Sequence, residues 1–407
     1  MECSSEYYVP ETVNLKENCE LIQYGFTQSA SEAEVGPKFL RITDIQKNPV
    51  DWSTVPYCEI SKEDFRKYLL QPGDIVVART GASTGTSAIY KENMPESVFA
   101  SYLIRVRPTA SFLPDFVYYF LQSDFYIEHV KSIVGGSAQP NANAIQLTDV
   151  QIPLMTIEAQ KQVCNLLGCL DNKISTNIEI NKILEEIARV IFKHWFIDFE
   201  FPNENGEPHK SSGGEMIDSS LGPIPKGWRI GRIEDVCEFS YGKALKADKR
   251  IQGRIPVYGS NGQIGWHNES LVSGPGIIVG RKGNPGLIHW SKEDFFPIDT
   301  TFYVVPRVGK SIMHFLYFAL KHADLPRLSA DSAVPGLNRN IAYMQQLVIP
   351  TEQLLRDFEK RISFIFDLLQ TNSWQNQSLS ELRDTLLPKL MSGEIRVPVS
   401  EKEDDQL

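Results

Sequence analysis

The chain has 407 residues, 42% of them hydrophobic and 23% charged, with 41 basic against 51 acidic side chains and a net charge of −10. That length predicts two or three domains with sizeable cores, and the composition excludes global disorder. No apolar run reaches the roughly 18 residues that a bilayer span requires, and the net charge argues against indiscriminate nucleic-acid binding over the whole surface.

The opening Met1-Glu2-Cys3-Ser4-Ser5-Glu6 has neither the basic nor the apolar region of a secretory signal. Six cysteines form no C-x-x-C pair, which argues against a zinc ribbon or a disulfide framework and for reduced thiols in the cytoplasm. Charge is unevenly spread. Residues 1–150 hold 12 basic and 19 acidic side chains, whereas 201–350 hold 17 and 14, a locally basic block in an acidic protein.

The chain repeats itself. Ile75-Val76-Val77-Ala78-Arg79-Thr80-Gly81, a buried strand running into a basic-polar turn, parallels Ile277-Ile278-Val279-Gly280-Arg281-Lys282-Gly283 at an offset of 202. Asn141-Ala142-Asn143 parallels Asn338-Arg339-Asn340, and Ile152-Pro153 parallels Ile349-Pro350, both at 197; Asn177 and Asn181 parallel Asn372 and Asn376 at 195. The predicted order is a first α/β block over 1–153, a long helix within 154–200, a Pro/Gly/Ser-rich linker over 201–227, a second block over 228–350, a second helix within 351–392, and an acidic tail over 393–407. The expected fold class is α/β (α+β) with a pseudo-two-fold internal repeat.

The first helix is predicted to start at Thr156, a fitting N-cap with Glu158 in the first turn. Val163, Leu167, Leu170, Ile174, Asn177, Asn181, Leu184, Ala188, Ile191 and Trp195 follow a four-three spacing, the seam of a coiled coil. The second helix repeats it with Phe358, Ile362, Ile365, Leu369, Asn372, Asn376, Leu379, Leu386 and Leu390, and Arg383 stands at one apolar position. Two Asn in the middle of each seam fix register at a cost in stability, so Asn177 or Asn181 is expected opposite Asn372 or Asn376. Forty residues span about 60 Å, more than a compact domain needs. Paired antiparallel, the helices form a ruler between two globular domains; the alternative is that each packs on its own domain with solvated Asn.

Leu382-Arg383-Asp384-Thr385-Leu386-Leu387-Pro388-Lys389-Leu390-Met391-Ser392-Gly393-Glu394, the run Ala188–Phe199, Gly222-Pro223-Ile224-Pro225-Lys226-Gly227-Trp228, Pro256–Gly262 and Ile298–Phe302 resemble, in order and over nearly the whole chain, the motifs of type I restriction-modification specificity subunits. That resemblance implies two target-recognition domains, each reading half of a split double-stranded DNA site. It also implies an antiparallel coiled coil that sets the unread spacer and docks two modification (methyltransferase) subunits, with restriction subunits joining the complex. Methyl donor, ATP and Mg are then expected on the partner subunits and no cofactor in this chain. One departure is that Tyr8–Leu15 lacks the Pro-x-Gly-Trp form present at Pro225–Trp228.

The chain's own chemistry points the same way. There is no Asn/Asp-Pro-Pro-aromatic segment of an adenine methyltransferase, Gly309-Lys310-Ser311 lacks the upstream Gly of a phosphate loop, and the seven His show no metal-ligand spacing. A non-catalytic subunit without a metal site is the expectation. Base edges are read by Arg, Lys, Asn, Gln, Ser and Thr, and phosphates are held by Lys and Arg. The second half offers Lys243, Lys246 and Arg250 for phosphates, Asn261, Arg281, Lys282 and Arg339 for base edges, and Ser260 and Asn338 in the same loops as further DNA-binding candidates. The first half offers Arg79, Thr80, Ser83, Thr84, Gln139 and Asn141. A solvated charge or a turn residue is the alternative at each position. Two rival functions are a scaffold that joins partners without reading DNA and a divergent fused methyltransferase-endonuclease.

Overall fold

The protein is described from a computed structural model covering residues 11–46, 49–135, 141–307, 312–329 and 336–396. In the first half the strands are β1 (Thr12–Asn14), β2 (Cys19–Tyr24), β3 (Lys38–Leu40), β4 (Ile75–Ala78), β5 (Ser87–Ile89), β6 (Ser97–Phe99), β7 (Leu103–Pro108) and β8 (Gln151–Pro153). Its helices are α1 (Ile42–Ile45), α2 (Lys62–Tyr68), α3 (Pro114–Phe120), α4 (Asp124–Val134), α5 (Ala144–Thr148) and the long α6 (Ile157–Phe196). The second half holds β9 (Met216–Ile217), β10 (Ile224–Pro225), β11 (Arg229–Arg232), β12 (Cys237–Tyr241), β13 (Ile255–Gly259), β14 (Gly262–His267), β15 (Gly276–Gly280), β16 (Ile288–Ser291), β17 (Phe296–Pro297), β18 (Thr301–Pro306) and β19 (Gln346–Ile349). Its helices are α7 (Ile233–Val236), α8 (Met313–His322), α9 (Arg339–Tyr343) and the long α10 (Glu352–Met391).

The chain divides into two compact units, residues 1–177 with 375–407 and residues 178–374. Each therefore contains a globular part and half of each long helix. In the first, a four-stranded antiparallel sheet runs β2-β7-β4-β5; in the second, the order is β12-β18-β15-β16. Ile75–Ala78 and Gly276–Gly280 are buried along their whole length, as expected of central strands covered on both faces. Beside each sheet lies a parallel pair, β3 with β6 and β13 with β17. The second unit alone extends that pair with the β13–β14 hairpin.

The ladders fix how the halves correspond. Thr12 faces Pro153 and Val13 faces Ile152 in one unit; Ile230 faces Val348 and Gly231 faces Leu347 in the other. The helices start and end 195 residues apart, at Ile157 and Glu352 and at Phe196 and Met391. Thr156 and Thr351 both accept from the backbone N–H three residues on, as N-caps. The 197 offset expected for Asn141–Asn143 and Ile152-Pro153 is therefore two residues too large. Asn143 matches Asn338, because both cap the first turn of a five-residue helix.

In the first unit Asp171 and Asn177 of α6 bond Arg383 and Asn376 of α10, so the halves run antiparallel. Arg383 holds the Asp171 carboxylate at 2.8 Å, and Tyr119 donates to the same carboxylate at 2.8 Å, which explains a cation at an apolar seam position. In the second unit Asn181 accepts from Asn372 at 2.8 Å and Trp195 packs on Phe358, again antiparallel. The seam closes over fully buried Val163, Leu167, Phe358 and Ile362. Each such side chain contributes about 1.5–3 kcal/mol on leaving water.

The 201–227 segment is more than a spacer. Phe201 stacks on His209 and on Trp228, β9 pairs β10, and Lys226 meets Glu215 at 2.8 Å. Its Pro and Gly serve turns that fold it onto the second unit, which composition alone does not distinguish from a loose connection.

Candidate nucleic-acid interface

In each unit the buried central strand ends in an arginine whose backbone is tied to the segment that leads into a capped short helix. Ala142 N–H donates to the Arg79 carbonyl and Leu337 N–H to the Arg281 carbonyl, both at 2.9 Å. One residue on, Thr80 bridges Asn141, and Lys282 bridges Gly336. Gly81 (φ +75°) and Gly283 (φ +85°) then turn the chain, a backbone shape that L side chains resist.

Both arginines lie over a tyrosine at the end of the sheet's first strand. The Arg79 guanidinium sits 5.1 Å from the Tyr24 ring centroid, and that of Arg281 4.9 Å from Tyr241. The rings are half exposed, 44% and 51%. The glycine after each tyrosine, Gly25 and Gly242, packs against backbone carbonyls of 99–100 and 297–298 with no space for a Cβ. The strand end is thereby held close to the neighbouring parallel pair.

The polar partners of the two arginines differ. Arg79 donates to the Asn141 side chain (3.2 Å) and the Ala142 carbonyl (3.4 Å), and Arg281 to the Asp299 carbonyl (3.0 Å). The second unit adds Arg339, whose guanidinium lies 5.2 Å from the same Tyr241 ring and donates to the Phe239 carbonyl. Among the described residues no carboxylate pairs with Arg79, Arg281, Lys282 or Arg339, whereas Arg105 and Arg107 share Asp74 and Arg41 holds Asp44. Two guanidinium groups on one ring without a counter-charge make a local field suited to an anion.

The other sequence-predicted positions divide. Ser260 and Asn261 form the two-residue turn of the β13–β14 hairpin and bond residues of the segment that follows Arg281: Asn284 donates to Asn261, and the Ser260 carbonyl bonds His289. Lys243 is exposed two residues beyond Tyr241. Lys246 is exposed before a short turn, and Arg250 clips the hairpin by donating to the Ile264 carbonyl at 2.7 Å, so these two are not drawn into the cluster. Asn338 spends its side-chain oxygen capping α9. In the first unit Ser83 accepts from Gln46, and Thr84 bonds Gly81 within the turn. Gln139 and the Gly309–Ser311 stretch lie outside the described residues. Tyr24 and Tyr241 were not among the expected binding residues; an aromatic ending a strand reads as core.

Among the described residues no three His, Cys, Asp or Glu gather as a metal site, and no helix is long and apolar enough to cross a membrane.

The sequence model of the type I restriction modification DNA specificity domain matches residues 10–187 and again 225–382. The chain belongs to the type I restriction-modification DNA specificity family. Its place in such a system is that of the DNA specificity subunit, and its two recognition domains are joined by the long-helix coiled coil. The HindI specificity subunit of Haemophilus influenzae is 24% identical over 424 aligned residues, covering 83% of this chain and 91% of that one. The MjaIX specificity subunit of Methanocaldococcus jannaschii is 26% identical over 321, covering 71% of each. The crystal structure of the S subunit of a type I restriction-modification system from M. genitalium shares the fold, with a TM-score of 0.55 at 17% identity over 96% of this chain and 98% of that one.

Proposed function

We propose that each unit reads one half of a split double-stranded DNA site through its arginine–tyrosine loop cluster, and that the helix pair sets the spacer between the halves. The observation that carries this reading is the duplication itself: a DNA specificity domain twice over, each with the same sheet order and the same uncompensated arginine at the same strand end.

The chain recognises and its partners react. Two modification subunits dock on the helices and supply the methyl donor site; restriction subunits bring ATP and Mg chemistry; the complex works in the cytoplasm. Docking of two like partners is supported by a groove in each unit. One, of about 770 Å³, is lined by Ala188, Arg189, Phe192 and Lys193 of α6. The other, of about 640 Å³, is lined by Arg383, Asp384, Leu387 and Pro388 of α10, the counterparts at the 195 offset. On the face of α6 away from the first groove, Ile180, Ile183, Ile187 and Val190 form an exposed apolar stripe at helical spacing, suited to a partner helix.

Methylome sequencing of cells carrying this chain with its modification subunits tests the reading. A split methylated motif is expected. Inserting four residues within Ile174–Ile187 changes the spacer and leaves both half-sites as they were; an unaltered spacer would remove the ruler role. The isolated chain is expected to bind DNA weakly and the assembly tightly, with affinity falling steeply with salt. Partner binding without any sequence preference would favour the scaffold reading instead.

A further inference from the structure

The two units share a backbone frame at the candidate interface but only part of its side chains, and this separates two kinds of DNA contact. A phosphate backbone is the same whatever the sequence, so a residue kept in both readers suits it; a base edge differs between half-sites, so a residue that differs between readers suits that. We infer that Arg79 and Arg281, each laid on its tyrosine, hold DNA phosphates, while Thr80 with Asn141 in one unit and Lys282 with Arg339 in the other contact base edges. The inference rests on the DNA-reading role proposed above.

The frame is shared in detail. The arginine carbonyl receives the same backbone N–H, the next residue makes the same bridge, and the same asparagine cap starts the short helix that follows. The rings of Tyr24 and Tyr241 each carry a guanidinium at about the same distance, 5.1 and 4.9 Å. Neither arginine meets a carboxylate among the described residues, and each uses only one or two of its five donors.

On that frame the differing positions are discrete. Thr80 corresponds to Lys282, and Asn141 to Gly336. Ala144, whose N–H donates to the Tyr24 hydroxyl at 3.0 Å, corresponds to Arg339, which instead lays a second guanidinium on the ring. The unlike residues thus surround the like pair. Arg281 is accordingly assigned to phosphate, not to the base edge that its place after the strand suggests.

The test uses the chain assembled with its modification subunits, with DNA fragments that carry or lack the motif found by methylome sequencing. Arg79→Gln and Arg281→Gln each lower affinity about tenfold on both fragments, reduce the salt slope by about one, and leave the methylated motif unchanged. Lys282→Thr and Arg339→Ala install the counterpart residues of the other unit; each alters the motif in one half only, the half read by residues 178–374. Arg79→Lys and Arg281→Lys keep the charge and the salt slope. A changed motif with Arg79→Gln or Arg281→Gln, an unchanged motif with both Lys282→Thr and Arg339→Ala, or Lys variants that lose binding as fully as Gln overturns the inference. A parent assembly that methylates no split motif removes the DNA-reading role itself, a result distinct from any variant's behaviour.

Discussion

Asn177 donates its side-chain amide to the side-chain oxygens of Asn376 and of Gln375, each at 2.8 Å, and is itself fully buried in the first unit. A polar layer inside an apolar seam specifies register, because sliding the helices would leave an amide among hydrocarbon without a partner. Asn177→Leu alone is expected to destabilise the chain by about 1–3 kcal/mol, since it strips Asn376 of its donor. Asn177→Leu with Asn376→Leu, which removes both partners, is expected to be nearly neutral or stabilising. Urea unfolding of these two and of Asn376→Leu alone completes the cycle; an Asn177→Leu chain as stable as the parent would show that the layer carries no register penalty.

Asp74 organises the first sheet. It is fully buried and accepts from Arg107 at 2.7 and 2.9 Å, from Arg105 at 3.3 Å, and from the Gln71 backbone at 2.8 Å. Arg105 is itself 3% exposed. Asp74→Asn keeps the shape and removes the charge, so a buried guanidinium loses its counter-ion at a cost of about 3–5 kcal/mol. A denaturant series on the full chain should show the first unit unfolding early. The second sheet carries Tyr303 and Val305 at the matching positions of β18 and is expected to be unaffected.

Gly25 and Gly242 are expected to tolerate no side chain. An added methyl group meets carbonyl oxygens that cannot withdraw without breaking the parallel pairs beside them. Ala at either site should cost about 1–3 kcal/mol or more. Because each glycine follows the tyrosine under the arginine, DNA affinity of the assembled complex should fall with stability. Thermal unfolding with parallel DNA titration checks both; a Gly25→Ala chain with parental melting would contradict the close approach.

Thiol reactivity should follow burial. Cys169 is exposed, whereas burial pushes the Cys58 thiol up to about 11 and that of Cys237 up to about 12. A raised thiol pKa lowers the thiolate fraction, and the thiolate is the nucleophile. At pH 8 an alkylating reagent followed by peptide mapping should, among the cysteines of the described residues, label Cys169 first, with Cys58 and Cys237 labelled only after denaturation. Early labelling of Cys237 would mean that the second unit opens locally.

The long helices were legible because a four-three seam sustained over forty residues has one stable solution, and Thr156 and Thr351 marked both starts. Arg79 and Arg281 were legible because a buried strand that ends in Arg recurs. The alignment through Asn141–Asn143 was not: matching letters favoured an offset of 197, whereas the Asn143 and Asn338 caps and the bridges to Thr80 and Lys282 reveal 195. Asn338 looked like a DNA contact because Asn serves both helix caps and DNA readers. Arg250 looked free because its partner, the Ile264 carbonyl, belongs to a hairpin with no counterpart among the described residues of the first half. The tyrosines under the arginines were hidden because stacking leaves no spacing pattern in the chain.

The Asn layers also bear on inheritance. Asn177 meets Asn376, the counterpart of Asn181, while Asn181 meets Asn372, the counterpart of Asn177. In a single-copy ancestor pairing with its own twin, one codon change would have altered both layers together. In the fused polypeptide each layer is encoded separately, so either can drift toward a new preference while the other preserves the mating of the rods.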